Sequence, residues 1–190
     1  MSFIDQCQFL GEDPRTRKWI LPVRVMQSRG EVTDADVLLK PKPMQIGLRE
    51  RELTVLKNRK NAPRAVLLLD FGYEFHGGVR ILTAMNPSAQ PLRVRLTFGE
   101  SVAEALSDIG EKGACNDHAP RDFAVTVPRL SDLEFGQTGY RFLRLELLED
   151  EAEWQIKSVL GCFVYRELDY IGRFSCSDGL LNRIYDTAAY

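Results

Sequence analysis

Five polar residues in the middle of this 190-residue chain are of types that bind ligands: Glu100, Asn116, Asp117, Arg121 and Asp122. Glu100 follows the glycine that ends a strand-like run. Asn116 and Asp117 close a long loop, and Arg121 and Asp122 open the next strand. Carboxylate and amide oxygens in such a set are the hard ligands that calcium takes. A planar Asn–Asp–Arg group can also hydrogen-bond vicinal hydroxyls of a sugar. The favoured reading is plainer: an internal network in which Arg121 grips a carboxylate through two parallel hydrogen bonds and pins the loop over a sheet.

Other chemistry-bearing residues are sparse. His76, in YEFHGG, reads as a turn residue, and His118 as a loop residue. Trp19 and Trp154 are of the type that stacks on sugars, as are Tyr73, Phe75 and Tyr140, but Trp154 starts a strand and reads as core or rim packing. Asp70 and Glu74 are four apart, a spacing that does not by itself make an acid–base pair. The four cysteines, Cys7, Cys115, Cys162 and Cys176, are too scattered for a metal knuckle. Reduced thiols and no metal site are expected, with Cys162 in the core within VLGCFVY. There is no phosphate-cradling glycine loop and no Ser-His-Asp grouping. No catalytic residue is assigned.

The elements that must position these residues are mainly strands. LRVRLTFG (92–99) alternates strictly, with Leu92, Val94, Leu96 and Phe98 on one face and Arg93, Arg95 and Thr97 on the other. AVLLLDFG (65–72), GVRILTAM (78–85), DFAVTVP (122–128), YRFLRLELL (140–148) and WQIKSVLGCFVYRE (154–167) read as further strands, the last as one long strand or two. MNPSAQP (85–91) and LEDEAE (148–153) are polar hairpin connectors. This pattern of about six or seven strands predicts an antiparallel β-sandwich. SVAEALSDIGEKG (101–113) is read as either a short helix or a loop with a helical turn. WILPVRVMQ (19–27) and ADVLLKPKPMQIGL (35–48) are each expected to give a strand, kept to an edge by Pro22, Pro41 and Pro43. In FSCSDGLLNRIYDTAAY (174–190), Ser177 or Asp178 can cap a helix carrying Leu180, Leu181, Ile184 and Tyr185 at helical spacing.

Composition is that of a soluble globular protein, 44% hydrophobic and 27% charged. With 25 basic and 27 acidic residues the net charge is −2, which argues against nucleic acid or an anionic membrane as partner. The N-terminus lacks a basic region followed by an apolar run, so a cytoplasmic location is expected.

In order, DFGYEFHGGVRI (70–81), LTFGES (96–101), CNDHAPRDFAVTV (115–127), FGQTGYRFLRLEL (135–147) and GRFSCSDGLLNRIYDTAAY (172–190) resemble one family. They are similar to the β-sandwich region that precedes the (α/α)6 catalytic barrel in bacterial α-L-rhamnosidases of glycoside hydrolase family 78. The resemblance implies a mainly β fold: an antiparallel sandwich with a short C-terminal helix that begins a helical barrel missing from this chain. It divides the chain into a strand-containing segment (1–60) packing on the sandwich, the sandwich (61–172) and the start of the barrel's first helix (173–190). It also implies a non-catalytic role beside the (α/α)6 domain, with rhamnose-containing glycans as ligands; calcium on the Glu100–Asp122 set is the one candidate cofactor, and Leu181 and Ile184 of the C-terminal helix are expected to drive self-association. Two other readings stay open, an independent carbohydrate-binding module and a protein-interaction sandwich.

Overall fold

The computed structural model describes residues 13–111 and 121–189. Residues 17–165 form one compact unit, and residues 13–16 with 166–189 form a second, smaller one. The fold is mainly antiparallel β with one short C-terminal helix, a β-sandwich as expected.

The strands are β1 (Arg15–Ile20), β2 (Arg24–Arg29), β3 (Glu31–Thr33), β4 (Thr54–Lys57), β5 (Val66–Thr83), β6 (Leu92–Gly99), β7 (Asp122–Val127), β8 (Ser131–Leu147) and β9 (Glu153–Arg166). Their order is β3-β4-β9-β5-β8-β6-β7, with β1 beside β9 and β2 beside β5. The long strands β5 and β8 run through both layers. The first part of β5 lies between β2 and the end of β8, where Leu69 faces Val25 and Leu143. Its second part lies between β9 and the start of β8, where Val79 faces Gly161 and Phe135. The two runs read from the sequence as separate strands are therefore one strand, interrupted by a bulge. Asp70 faces Phe142, yet Phe75 already faces Tyr140, so the segment from Phe71 to Glu74 loops out of register. Gly72, at φ +89°, makes that turn, and Tyr73 is left 80% exposed.

Alternation puts Leu67, Leu69, Leu96 and Leu145 of one layer against Val79, Ile81, Trp154 and Ile156 of the other in a single buried core. Aromatic rings fill the bend. Tyr140 lies 4.5 Å from Phe75 and 4.8 Å from Phe98 between centroids, and its hydroxyl donates to the Gly78 carbonyl at 2.7 Å. Burial pushes that phenol well above its usual pKa. Buried Asn58 donates to the carbonyls of Leu147 and Glu149 and accepts from the Ala65 amide, each at 2.8 Å. It thereby ties the end of β4 to β5 and β8.

Three local expectations change, the first being that 19–27 is not one strand but the end of β1 and the start of β2, parted at 21–23 around Pro22. Residues 35–48 are not a strand: Asp34 turns left-handed at φ 54°, and Ala35–Leu39 form a 3-10 helix whose Leu38 enters the core. Pro41 and Pro43, which lack amide protons, then keep the following chain out of the ladder. His76 lies within β5, opposite Gly139, rather than in a turn. The 101–113 stretch does contain a helix, α1 (Val102–Leu106). In the smaller unit α2 (Gly179–Ala189) is capped by Asp178, whose carboxylate accepts from the Leu180 amide at 2.8 Å.

Gly77 pairs with Phe163 where the backbones of β5 and β9 run close together, and a Cβ there would sit 1.7 Å from the Cys162 carbonyl oxygen. Gly77→Ala is expected to destabilise the sandwich by about 3 kcal/mol, read as a lower urea midpoint at unchanged m-value.

Candidate functional site

The outer face of β6 and β8 carries Arg95, Thr97, Arg144 and Glu146, opposite the core residues Leu96 and Leu145. Over this face lies α1. Ser101 caps it, its hydroxyl accepting from the Glu104 amide at 3.2 Å, while the Glu104 carboxylate reaches back to the Glu100 amide at 2.8 Å. Ala105, Leu68 and Phe142 make a small second core beneath the helix.

Arg121 is fully buried against α1. Its Nη1 donates to the Glu104 carbonyl at 2.8 Å, and its Nε stands 3.8 Å from the Glu104 carboxylate. One side chain thus satisfies a carbonyl at the end of the helix and balances a buried carboxylate. Asp122, the next residue, points into a different pair. Arg95 donates from Nε to Asp122 at 2.8 Å and from Nη2 to both Asp122 and Asp108, the latter at 2.6 Å. These bonds raise the Arg95 pKa above its already high value and hold the Asp108 carboxyl below the usual range.

The structure places Glu100 at the N-terminal end of α1 and Arg121 and Asp122 toward its C-terminal end, with Arg121 and Asp122 in separate ion pairs. Asn116, Asp117 and His118 lie outside the described residues. Among the described residues no three acidic, His or Cys side chains gather closely enough to hold a metal ion. Glu104, Arg95 and Asp108 were not among the candidate site residues, Arg95 being placed only on the outer face of its strand. Glu104 is the fourth residue of an S-x-x-E capping box, Ser101 to Glu104, a signal that the sequence displays.

A second charged centre sits at the bulge. Asp70 is buried; burial alone would raise its pKa, but Arg141, Arg24 and the Gly72 amide outweigh this and bring it to about 2. Arg141 donates at 2.8 and 3.0 Å, Arg24 at 2.7 Å and the Gly72 amide at 2.8 Å. Glu74 behaves oppositely: burial, then the nearby Glu100 and Glu104 carboxylates, raise it. Of the aromatic candidates, Trp154, Phe75 and Tyr140 are core, and Trp19 and Tyr73 are exposed.

No protein-family model matches the sequence, and no curated protein does. Solved structures do match. A rhamnosidase from Klebsiella oxytoca with rhamnose bound aligns with TM-score 0.63 and 18% identity, over 92% of this chain and 34% of that one. A GH78 family rhamnosidase of Bacillus sp. GL1 aligns with TM-score 0.53 and 17% identity, over 78% and 14%. A truncated AlyQ with CBM32 and alginate lyase domains aligns with TM-score 0.51 and 11% identity, over 80% and 35%. The resemblance to the rhamnosidases is borne out in the fold, and this chain spans only a minor part of their length.

Two outcomes are expected. Asp70 titrates at about 2 in the folded chain against 3.8 unperturbed, so its contribution to stability is present above about pH 4 and is lost as pH falls toward 2. Urea unfolding at pH 7 and pH 3 should show wild type losing on the order of 1–2 kcal/mol more than Asp70→Asn over that interval. Arg121→Ala leaves the Glu104 carboxylate buried without its cation and should cost about 3 kcal/mol in the same assay.

Proposed function

We propose that this chain is a non-catalytic β-sandwich of an α-L-rhamnosidase-like glycoside hydrolase, whose task is to support a helical catalytic domain. The observation that carries this reading is the shared fold: it runs over 92% of this chain but over only 34% of the rhamnosidase. The sequence resemblance fits the same frame. The DFG run forms the bulge around Asp70, the GES run caps α1, and the Arg-Asp pair at 121–122 locks α1 to β7.

In the smaller unit, α2 is braced by Asn182, whose side chain bonds both the amide and the carbonyl of Cys176 at 2.9 Å, and by Phe174 packing on Tyr185 at 5.4 Å. Leu180, Leu181 and Ile184 remain about half exposed. On this reading they face the catalytic domain, and in the isolated chain they drive self-association.

A second reading, an independent carbohydrate-binding module with calcium held near Glu100 and Asp122, draws on the fold likeness to AlyQ with its CBM32 domain. Calorimetry with L-rhamnose, with calcium and then chelator, separates the two. Calcium-dependent heat lost in Asn116→Ala and Asp117→Ala would establish the module.

The purified chain should show no turnover of nitrophenyl α-L-rhamnoside; measurable turnover would overturn the proposal. Sedimentation velocity should show concentration-dependent association that Leu181→Lys with Ile184→Lys abolishes. A monomer at all concentrations would count against α2 as a docking face.

A further inference from the structure

On the other layer, the outer face where β1, β9, β5 and β8 lie together carries an aromatic and two ion pairs. Trp19 of β1 is 41% exposed. The Arg80 guanidinium lies 4.8 Å from the centre of its ring and that of Arg17 at 5.9 Å. Arg80 is in turn held fork-to-fork by Asp132, Nε to Oδ1 at 2.6 Å and Nη2 to Oδ2 at 2.5 Å, and Arg17 pairs with Glu134. Although Arg80 points outward, its side chain is only 22% exposed. The indole shelters one clamped cation while much of its own surface meets solvent.

Three physical features follow from this arrangement. A cation against the ring face fixes the indole's orientation, so little side-chain freedom is left to lose when a ligand stacks on it. The ion pairs beside it present planar arrays of N–H donors and carboxylate acceptors, the groups that match neighbouring hydroxyls on a ring. The charges balance, two guanidiniums against two carboxylates, so an ionic ligand gains no net attraction here and a neutral polyol does not need it.

We propose that Trp19, with Arg17, Arg80, Asp132 and Glu134, is a binding site for a neutral pyranose. The sugar's apolar face stacks on the indole and its hydroxyls bridge to the Arg80–Asp132 and Arg17–Glu134 pairs. The choice of a sugar as ligand rests on the reading of this chain as part of a glycoside hydrolase.

The chain has two tryptophans, which makes the test direct. Trp154 is buried, with its Nε1–H donating to the Thr83 hydroxyl at 3.0 Å, and reports on the fold; Trp19 reports on the site. Fluorescence is titrated with methyl α-L-rhamnoside, methyl glucoside, methyl galactoside and galacturonate. At least one neutral glycoside should give a saturable change with Kd of about 1 mM. Galacturonate should bind no better. Trp19→Ala should abolish binding, measured by calorimetry, with the Trp154 emission unchanged. Trp19→Phe should recover part of the affinity, and Asp132→Asn should weaken it about tenfold.

No saturable change with any neutral glycoside, or binding that survives Trp19→Ala, overturns the site. Either result, together with absent turnover, leaves the supporting-domain reading standing. Turnover by the chain would remove that reading without touching the Trp19 titration.

Discussion

The architecture depends on how one carboxylate is satisfied. Two layers share β5 and β8, so the angle between the layers is set where β5 leaves and regains register with β8, between Asp70 and Phe75. Asp70 sits there out of water, and an isolated carboxylate in that position would be very costly. Arg141 from β8, Arg24 from β2 and the amide of Gly72 two residues on converge on it. These three partners come from the two neighbouring strands and from the bulge itself. Satisfying the charge therefore fixes both strand pairings and the turn in one step. Tyr140, packed between Phe75 and Phe98, then fills the inside of the bend that the outside charge has defined.

The same logic recurs at α1, which is too short to persist by its own hydrogen bonds. What holds it is a chain of charged contacts. Glu104 closes the N-terminal turn, Arg121 accepts the burden of that buried carboxylate and binds a helix carbonyl, and Arg95 clamps Asp122 and Asp108 on either side. The five polar residues that drew notice in the sequence belong, where they are described, to this scaffolding.

Much of this was legible. The alternation of LRVRLTFG set β6 with the correct face inward because period 2 is enforced by burial on one side. The helix after Asp178 was equally plain, since its cap and its apolar spacing are local. What escaped the sequence was non-local or masked by apolar composition. VLLK at 37–40 looks like strand material, but Asp34 in a left-handed turn and two prolines close by leave it no partner. Arg121 was expected to grip a carboxylate through two parallel hydrogen bonds; it donates instead to the Glu104 carbonyl with the Glu104 carboxylate 3.8 Å from Nε, and that partner lies 17 residues earlier, inside a segment whose helical state was left open. AVLLLDFG (65–72) and GVRILTAM (78–85) read as two strands because nothing local reveals that the same strand resumes on another layer.

In a sandwich the inner faces are committed to the core, so a ligand can only meet an edge or an outer face. The outer face of the first layer is occupied by α1 and its ion pairs. On the second, Lys157 is drawn down onto Glu50 and the Gln45 carbonyl, which closes that end with the 40–52 loop. The stretch at β1 places a large aromatic in solvent beside charges already neutralised by each other. Hydrophobic burial had no claim on Trp19, because its strand lies at the sheet's margin and its side chain points outward. Two cations positioned against an exposed indole stabilise it where it stands, and a ring kept in place without being covered is a surface preformed for stacking.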